Sequence, residues 1–269
     1  MGIRYSHAAC RRALFKSGLP GLDYSLNPYF GCEHGCLYCY SPSVFGNEWV
    51  ARNWGKFSIA KLNIDRVLEG ELRSGRRGIV GVGTVTDPYQ PYEAKLELTR
   101  RCVEVLLRGG AHASIQTKSD LVLRDLDLAI PGLLDLGVTI TTMDGWLAKR
   151  LEPGAPGPDA RAKALQEFSD KGIETWVFFG PVIPTLNDGE DDIREIAKIA
   201  KLTGSEVLYD KLNVKPFVLD RLAPLLYDLG ADPGRIEALS ERSKPYREAL
   251  FKRIDSICGE LGVRARPAF

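Results

Sequence analysis

Asn27-Pro28-Tyr29-Phe30-Gly31-Cys32-Glu33-His34-Gly35-Cys36-Leu37-Tyr38-Cys39-Tyr40 is the stretch from which the rest of the chain is read. Three of the six cysteines fall within it, at spacings of four and three residues, while Cys10, Cys102 and Cys258 stand singly. Three thiolates so spaced can wrap an iron–sulfur cluster from one side, with Gly31 and Gly35 permitting tight turns. Such clusters are usually held by four cysteines. With no fourth cysteine nearby, one iron of a four-iron cluster would be left open to a substrate or cofactor. A zinc site of Cys32, His34, Cys36 and Cys39 is the plain alternative, but zinc ligands normally come as two separated pairs. A non-catalytic iron–sulfur protein for electron transfer or sensing is a third reading, and it lacks the usual fourth ligand.

Outward from this stretch, short β-rich runs alternate with longer stretches of helical period. Strands are predicted at Tyr24–Asn27, Phe57–Lys61, Gly78–Thr84, Ala113–Thr117, Val138–Thr142, Thr175–Phe179 and Glu206–Val214. Helices are predicted near Ile64–Ser74, Ala94–Gly109, Leu121–Leu136, Asp159–Lys171, Asp188–Leu202 and Arg235–Leu261. Strand-then-helix alternation implies an α/β fold with a parallel sheet and right-handed crossovers, as a doubly wound sheet or a full or partial barrel. Either form places the active site at the C-terminal ends of the strands, and the unusual residues do follow strands. The Glu152–Pro158 run, rich in proline and glycine, reads as a surface linker between two helices.

The chain has 269 residues, 44% hydrophobic and 26% charged, the balance of a globular enzyme and the length of one barrel-type domain. Its formal net charge is +1, which speaks against nucleic-acid binding through bulk charge. Local basic groups, Arg73 with Arg76 and Arg77, Arg100 with Arg101, and Arg264 with Arg266, read as solvated faces unless they converge. No run is apolar enough for a membrane helix, and the N-terminus lacks a secretory signal. A cytoplasmic location is therefore expected, where clustered thiols serve metal binding rather than disulfides.

The cysteine motif resembles that of the radical S-adenosylmethionine (SAM) superfamily. The wider pattern is similar to the spore photoproduct lyase-like, or DNA repair photolyase-like, branch: Tyr24-Ser25-Leu26-Asn27-Pro28-Tyr29-x-Gly31-Cys32 with Tyr38 and Tyr40. So are Thr86-Asp87-Pro88-Tyr89-Gln90-Pro91-x-Glu93 and Thr117-Lys118-Ser119-x-Leu121-x-x-Arg124-Asp125. The resemblance implies a single domain over 1–269 built on a partial (β/α)6 TIM-type barrel. Its core would span about 24–216, with an N-terminal arm over 1–23 and a C-terminal helical segment over 217–269. It further implies a 4Fe-4S cluster on Cys32, Cys36 and Cys39, bound SAM, and reductive release of a 5′-deoxyadenosyl radical that takes hydrogen from a substrate, with nucleic acid among the candidates. A protein reductant such as a ferredoxin or flavodoxin would be the partner.

The strand ends can be read toward that cofactor. Asp87 can accept from an ammonium group and Thr84 and Thr86 add hydroxyls, although an Asp-Pro turn explains Asp87 equally simply. The resemblance carries the methionine amine to Thr86 and Asp87 and the carboxylate to Lys118. It carries the adenine to Tyr38 and the turn Gly180–Pro184, with Pro181 and Ile183. Thr141, Thr142 and Asp144 are candidates for the ribose. Lys211, Asn213 and Lys215 are candidates for substrate contact, and Tyr40 matches a family tyrosine implicated in radical transfer. Thr84 stands where spore photoproduct lyase has a hydrogen-donating cysteine; Cys10 is the spare candidate donor, whereas Cys102 and Cys258 read as core residues.

Overall fold

The computed structural model describes residues 2–268. Eleven strands run in chain order: β1 Arg4–Ala8, β2 Leu14–Lys16, β3 Tyr24–Leu26, β4 Tyr29–Phe30, β5 Phe57–Lys61, β6 Ile79–Val82, β7 His112–Thr117, β8 Leu134–Thr139, β9 Glu174–Val182, β10 Glu206–Lys211 and β11 Ala265–Pro267. Eight form one sheet in the order β11-β10-β9-β8-β7-β6-β3-β2. From β3 to β11 every pairing is parallel, and β2 closes the far edge antiparallel to β3. Six consecutive parallel strands, β3 through β10, with helices on their outer side make an open, partial (β/α)6 barrel.

Two-residue periodicity sorts the side chains of each strand. On β7, Ala113, Ile115 and Thr117 are buried toward the helices, while His112, Ser114 and Gln116 line the barrel interior. Val177 and Phe179 on β9 and Val207 and Tyr209 on β10 join the same outer core, against which the helix Glu190–Leu202 packs Ile193, Ile196, Ala197 and Ala200. Burial of each such Val, Ile or Phe side chain is worth about 1.5–3 kcal/mol. Among the described residues, no helix is long and apolar enough to cross a membrane.

Several local expectations are corrected. Phe57–Lys61 is a strand but not of the barrel: β5 lies between β1 and β4 in a separate three-stranded sheet. The expected helix Leu121–Leu136 is a 3₁₀ segment, Asp120–Leu128, followed by β8. Pro131 and Gly132 stop the helical pattern, and Leu134, Leu136 and Val138 are then buried as a strand. A helix that the sequence reading missed, Gly145–Leu151, starts at Asp144, whose side chain accepts from the amides of Trp146 and Leu147. The C-terminal stretch breaks at Ser243, which caps a fresh helix, Lys244–Glu260. The Glu152–Pro158 run is no surface linker: Glu152 is fully buried and the Gly154 amide donates to the His34 carbonyl at 2.9 Å.

Candidate active site

The cysteine motif follows β4 and ends at the helix Ser41–Phe45. Gly31, at φ 87°, turns the chain into it, and a Cβ there would come within 2.6 Å of the Phe57 carbonyl oxygen. Other elements hold the loop by its backbone and by the Glu33 carboxylate. The Gly31 carbonyl accepts from the Thr86 hydroxyl at 2.6 Å and the Gln90 amide at 3.3 Å. Glu33 accepts from the Tyr5 phenol and the Tyr92 amide, both at 2.7 Å. The Leu37 amide donates to Leu151 at 2.9 Å. The apolar flanks differ: Cys32 packs with Val50, Trp54 and Phe57, whereas Cys36 packs with Tyr38, Leu147, Leu151 and Leu222.

All three thiols of the motif line one cavity at the C-terminal end of the barrel strands. Tyr38, Tyr40, Thr84, Thr86, Asp87, Lys118, Pro181, Lys211 and Asn213 line it too. Thr142, Ile183 and Lys215 do not. Thr142 accepts from the Asp144 amide and bonds Asp192; Ile183 is buried in the apolar cluster beside Tyr38; Lys215 is exposed. Cys10 bonds Asn63 through its backbone, away from the cavity, and Cys102 and Cys258 are buried in the main core. None of the basic groups singled out in the sequence lines the cysteine cavity. Arg73, Arg76, Arg100, Arg101 and Arg266 are each paired with a carboxylate.

The electrostatics favour anionic sulfur only with help. Burial raises the Cys32 thiol well above its ordinary value and pushes Cys36 up to about 12, with the Lys118 ammonium opposing it at Cys36. Burial alone would lower Lys118, but Cys36, Glu152, Asp87 and Cys39 outweigh it and keep the ammonium charged. Its nitrogen lies 5.8 Å from the Tyr38 ring centre. Asp87 receives the Thr117 hydroxyl at 2.7 Å and the amides of Lys118 and Tyr89 at 2.8 and 2.9 Å. Nδ1 of His34 stands 3.3 Å from its Oδ2. Burial would raise the Asp87 carboxyl; His34, Thr117 and Lys118 outweigh it and hold the group well below the carboxylate range.

Functional residues that the sequence reading missed sit behind this wall. The Tyr38 phenol donates to Glu152, which pairs with Arg161, and both charged groups are almost completely buried. Thr141 bridges Tyr38 and Glu152 at 3.0 and 2.8 Å. Arg221, from the helix Val218–Asp228, donates to carbonyls of the cysteine loop. Burial pulls its guanidinium below the ordinary value while the Cys39, Cys36 and Cys32 sulfurs pull it back up, and an arginine remains charged under both.

Three thiols on one cavity are a donor set that fits a cubane cluster, whose thiolates each hold a different iron. His34 faces Asp87, and both of its ring nitrogens are buried without a hydrogen-bond partner at the cavity wall.

Comparison with known proteins points to one family. The model of the Radical SAM superfamily matches residues 26–200. An uncharacterized protein of Methanocaldococcus jannaschii is 35% identical over 179 residues, which is 66% of this chain and 67% of the relative. A second uncharacterized relative, from Mycobacterium tuberculosis, is 32% identical over 209 residues, 72% of this chain and 61% of its own length. The chain thus spans under two thirds of that relative. Among solved structures, spore photoproduct lyase complexed with dinucleoside spore photoproduct superimposes with a TM-score of 0.75 over 98% of this chain and 82% of that one, at 12% identity. With the family model covering most of the barrel and all three cysteines inside the match, the chain belongs to the radical SAM superfamily.

Proposed function

We propose that this chain is a radical SAM enzyme whose Cys32, Cys36 and Cys39 hold a 4Fe-4S cluster with one iron left for SAM. The observation that carries the reading is the meeting of three motif thiols with Lys118 and Asp87 on one cavity at the strand ends. When bound, the cluster supplies one electron for reductive cleavage of SAM, giving the 5′-deoxyadenosyl radical that takes hydrogen from substrate.

The chain's own residues position and balance charge. Lys118 offers an ammonium to the methionine carboxylate. Asp87 offers a fixed negative charge to the methionine amine, its oxygens being steadied by three protein donors. Tyr38, held by Glu152 and Thr141, and the Gly180-Pro181 turn form the wall against which adenine would pack. The Tyr40 phenol donates to the Thr84 carbonyl at 2.6 Å, at the junction with a second cleft that opens through the barrel interior. Tyr40, Gly83, Thr84, Gln116 and Phe178 line both spaces, so a substrate entering by the cleft would reach the cysteine cavity beside Tyr40.

A low-potential protein reductant, ferredoxin or flavodoxin in kind, would supply the electron, and the product of hydrogen abstraction would make the enzyme a lyase or a transferase. Equilibrium binding of SAM to anaerobically reconstituted protein tests the cofactor site. Lys118→Ala is expected to weaken binding at least tenfold while leaving iron content unchanged; unaltered affinity would move the carboxylate site elsewhere.

A further inference from the structure

The helix Val218–Asp228 lies beyond the last long barrel strand, yet it reaches back into the cysteine motif. Nη2 of Arg221 donates to the Cys36 carbonyl at 2.6 Å and the Gly35 carbonyl at 3.3 Å, and Nη1 donates to the Cys39 carbonyl at 3.3 Å. One planar guanidinium thus gathers three carbonyls across the second half of the motif, a geometry suited to its forked donors. The grip is anchored: Leu222, Leu225 and Leu226 of the same helix pack in the apolar cluster that contains Cys36 and Tyr38.

We propose that Arg221 is a positioning residue for the iron–sulfur site, fixing the cysteine loop through its carbonyls and raising the reduction potential of the cluster with its permanent positive charge. This rests on the assignment of a cluster to Cys32, Cys36 and Cys39. Reduction adds one negative charge, and a nearby cation in a poorly polarisable surrounding favours the reduced form. Lys118 lies on the open cavity, where a ligand carboxylate can neutralise it. Arg221 is committed to backbone carbonyls, which carry no net charge, so its effect persists with the cavity filled.

The test is a spectroelectrochemical titration of reconstituted wild-type protein, Arg221→Gln and Arg221→Lys, with iron content and thermal melting measured on the same samples. In Arg221→Gln the reduced-to-oxidised ratio at the wild-type midpoint is expected to fall about tenfold, a shift of about 59 mV to lower potential for one electron. Arg221→Lys keeps the charge and is expected to stay close to the wild-type potential while losing iron faster. Equal potentials in wild type and Arg221→Gln would overturn the proposal. Should Arg221→Gln fail to hold iron, Arg221→Lys decides: iron retained at the wild-type potential supports the proposal, and iron lost from both with unchanged melting contradicts a role for the charge. A wild-type protein that takes up no cluster would instead overturn the underlying cluster assignment.

Discussion

Nδ1 of His34 lies 3.3 Å from Oδ2 of Asp87, so the middle of the cysteine motif meets a buried carboxylate just beyond the end of the neighbouring barrel strand. His34 is 1% exposed and Asp87 9%. The contact joins two segments more than fifty positions apart, and it places the Asp87 charge beside the loop that would hold the cluster. Asp87→Asn keeps the shape and removes the charge. It is expected to cost about 3 kcal/mol in chemical denaturation at pH 7. The Asp87 carboxyl is depressed, so its contribution is complete above the unfolded value near 4 and is lost as pH falls through the folded value. The gap between wild type and variant should therefore narrow below about pH 4; a gap that is constant with pH would show that the charge plays no part.

The Glu152–Arg161 pair is buried on both sides, and Glu152 also receives the Tyr38 phenol. Glu152→Gln leaves the guanidinium without its counter-ion and is expected to destabilise the protein by about 3–5 kcal/mol. Combining it with Arg161→Met removes the orphaned charge and should recover at least half of that loss. A double variant as unstable as the sum of the two single ones would contradict this coupling.

Gly154 passes so close to the cysteine loop that a Cβ there would fall on the Glu33 carbonyl oxygen and within 2.9 Å of His34 Cα. Both neighbours are backbone and cannot turn aside. Gly154→Ala is expected to cost about 1–3 kcal/mol and to lower iron uptake on reconstitution. Wild-type stability together with full iron content would refute the contact.

Cluster assembly needs thiolates, whereas burial holds Cys32 high and Cys36 at about 12. Protons must leave as iron binds, so reconstitution yield at fixed iron and sulfide should rise between pH 7 and pH 9. A yield independent of pH would contradict the protonated starting state.

What could be read from the chain alone follows distance along it. The cysteine spacing, the strand-end polar residues Asp87 and Lys118, and the βα alternation are local patterns, and the barrel with its shared cavity follows from them. The error at 121–136 arose because leucines at helical spacing also suit a strand once Pro131 and Gly132 interrupt the run. The supports of the loop were hidden for a different reason. Glu152 sits in a Pro/Gly-rich run with the composition of a linker, and Arg221 is separated from Cys36 by most of the barrel, so no local pattern marks either as a neighbour of the thiols. Lys215 was grouped with Lys211 and Asn213 as though β10 continued, but the strand ends at Lys211 and Lys215 is left exposed.

Formation of 5′-deoxyadenosine tests the central claim most directly. Wild-type protein, reconstituted anaerobically with iron and sulfide, is given a low-potential reductant and SAM, beside a variant with Cys32, Cys36 and Cys39 all replaced by alanine. The account predicts brown protein and 5′-deoxyadenosine from wild type alone. Equal iron content and equal 5′-deoxyadenosine from the triple variant would contradict it.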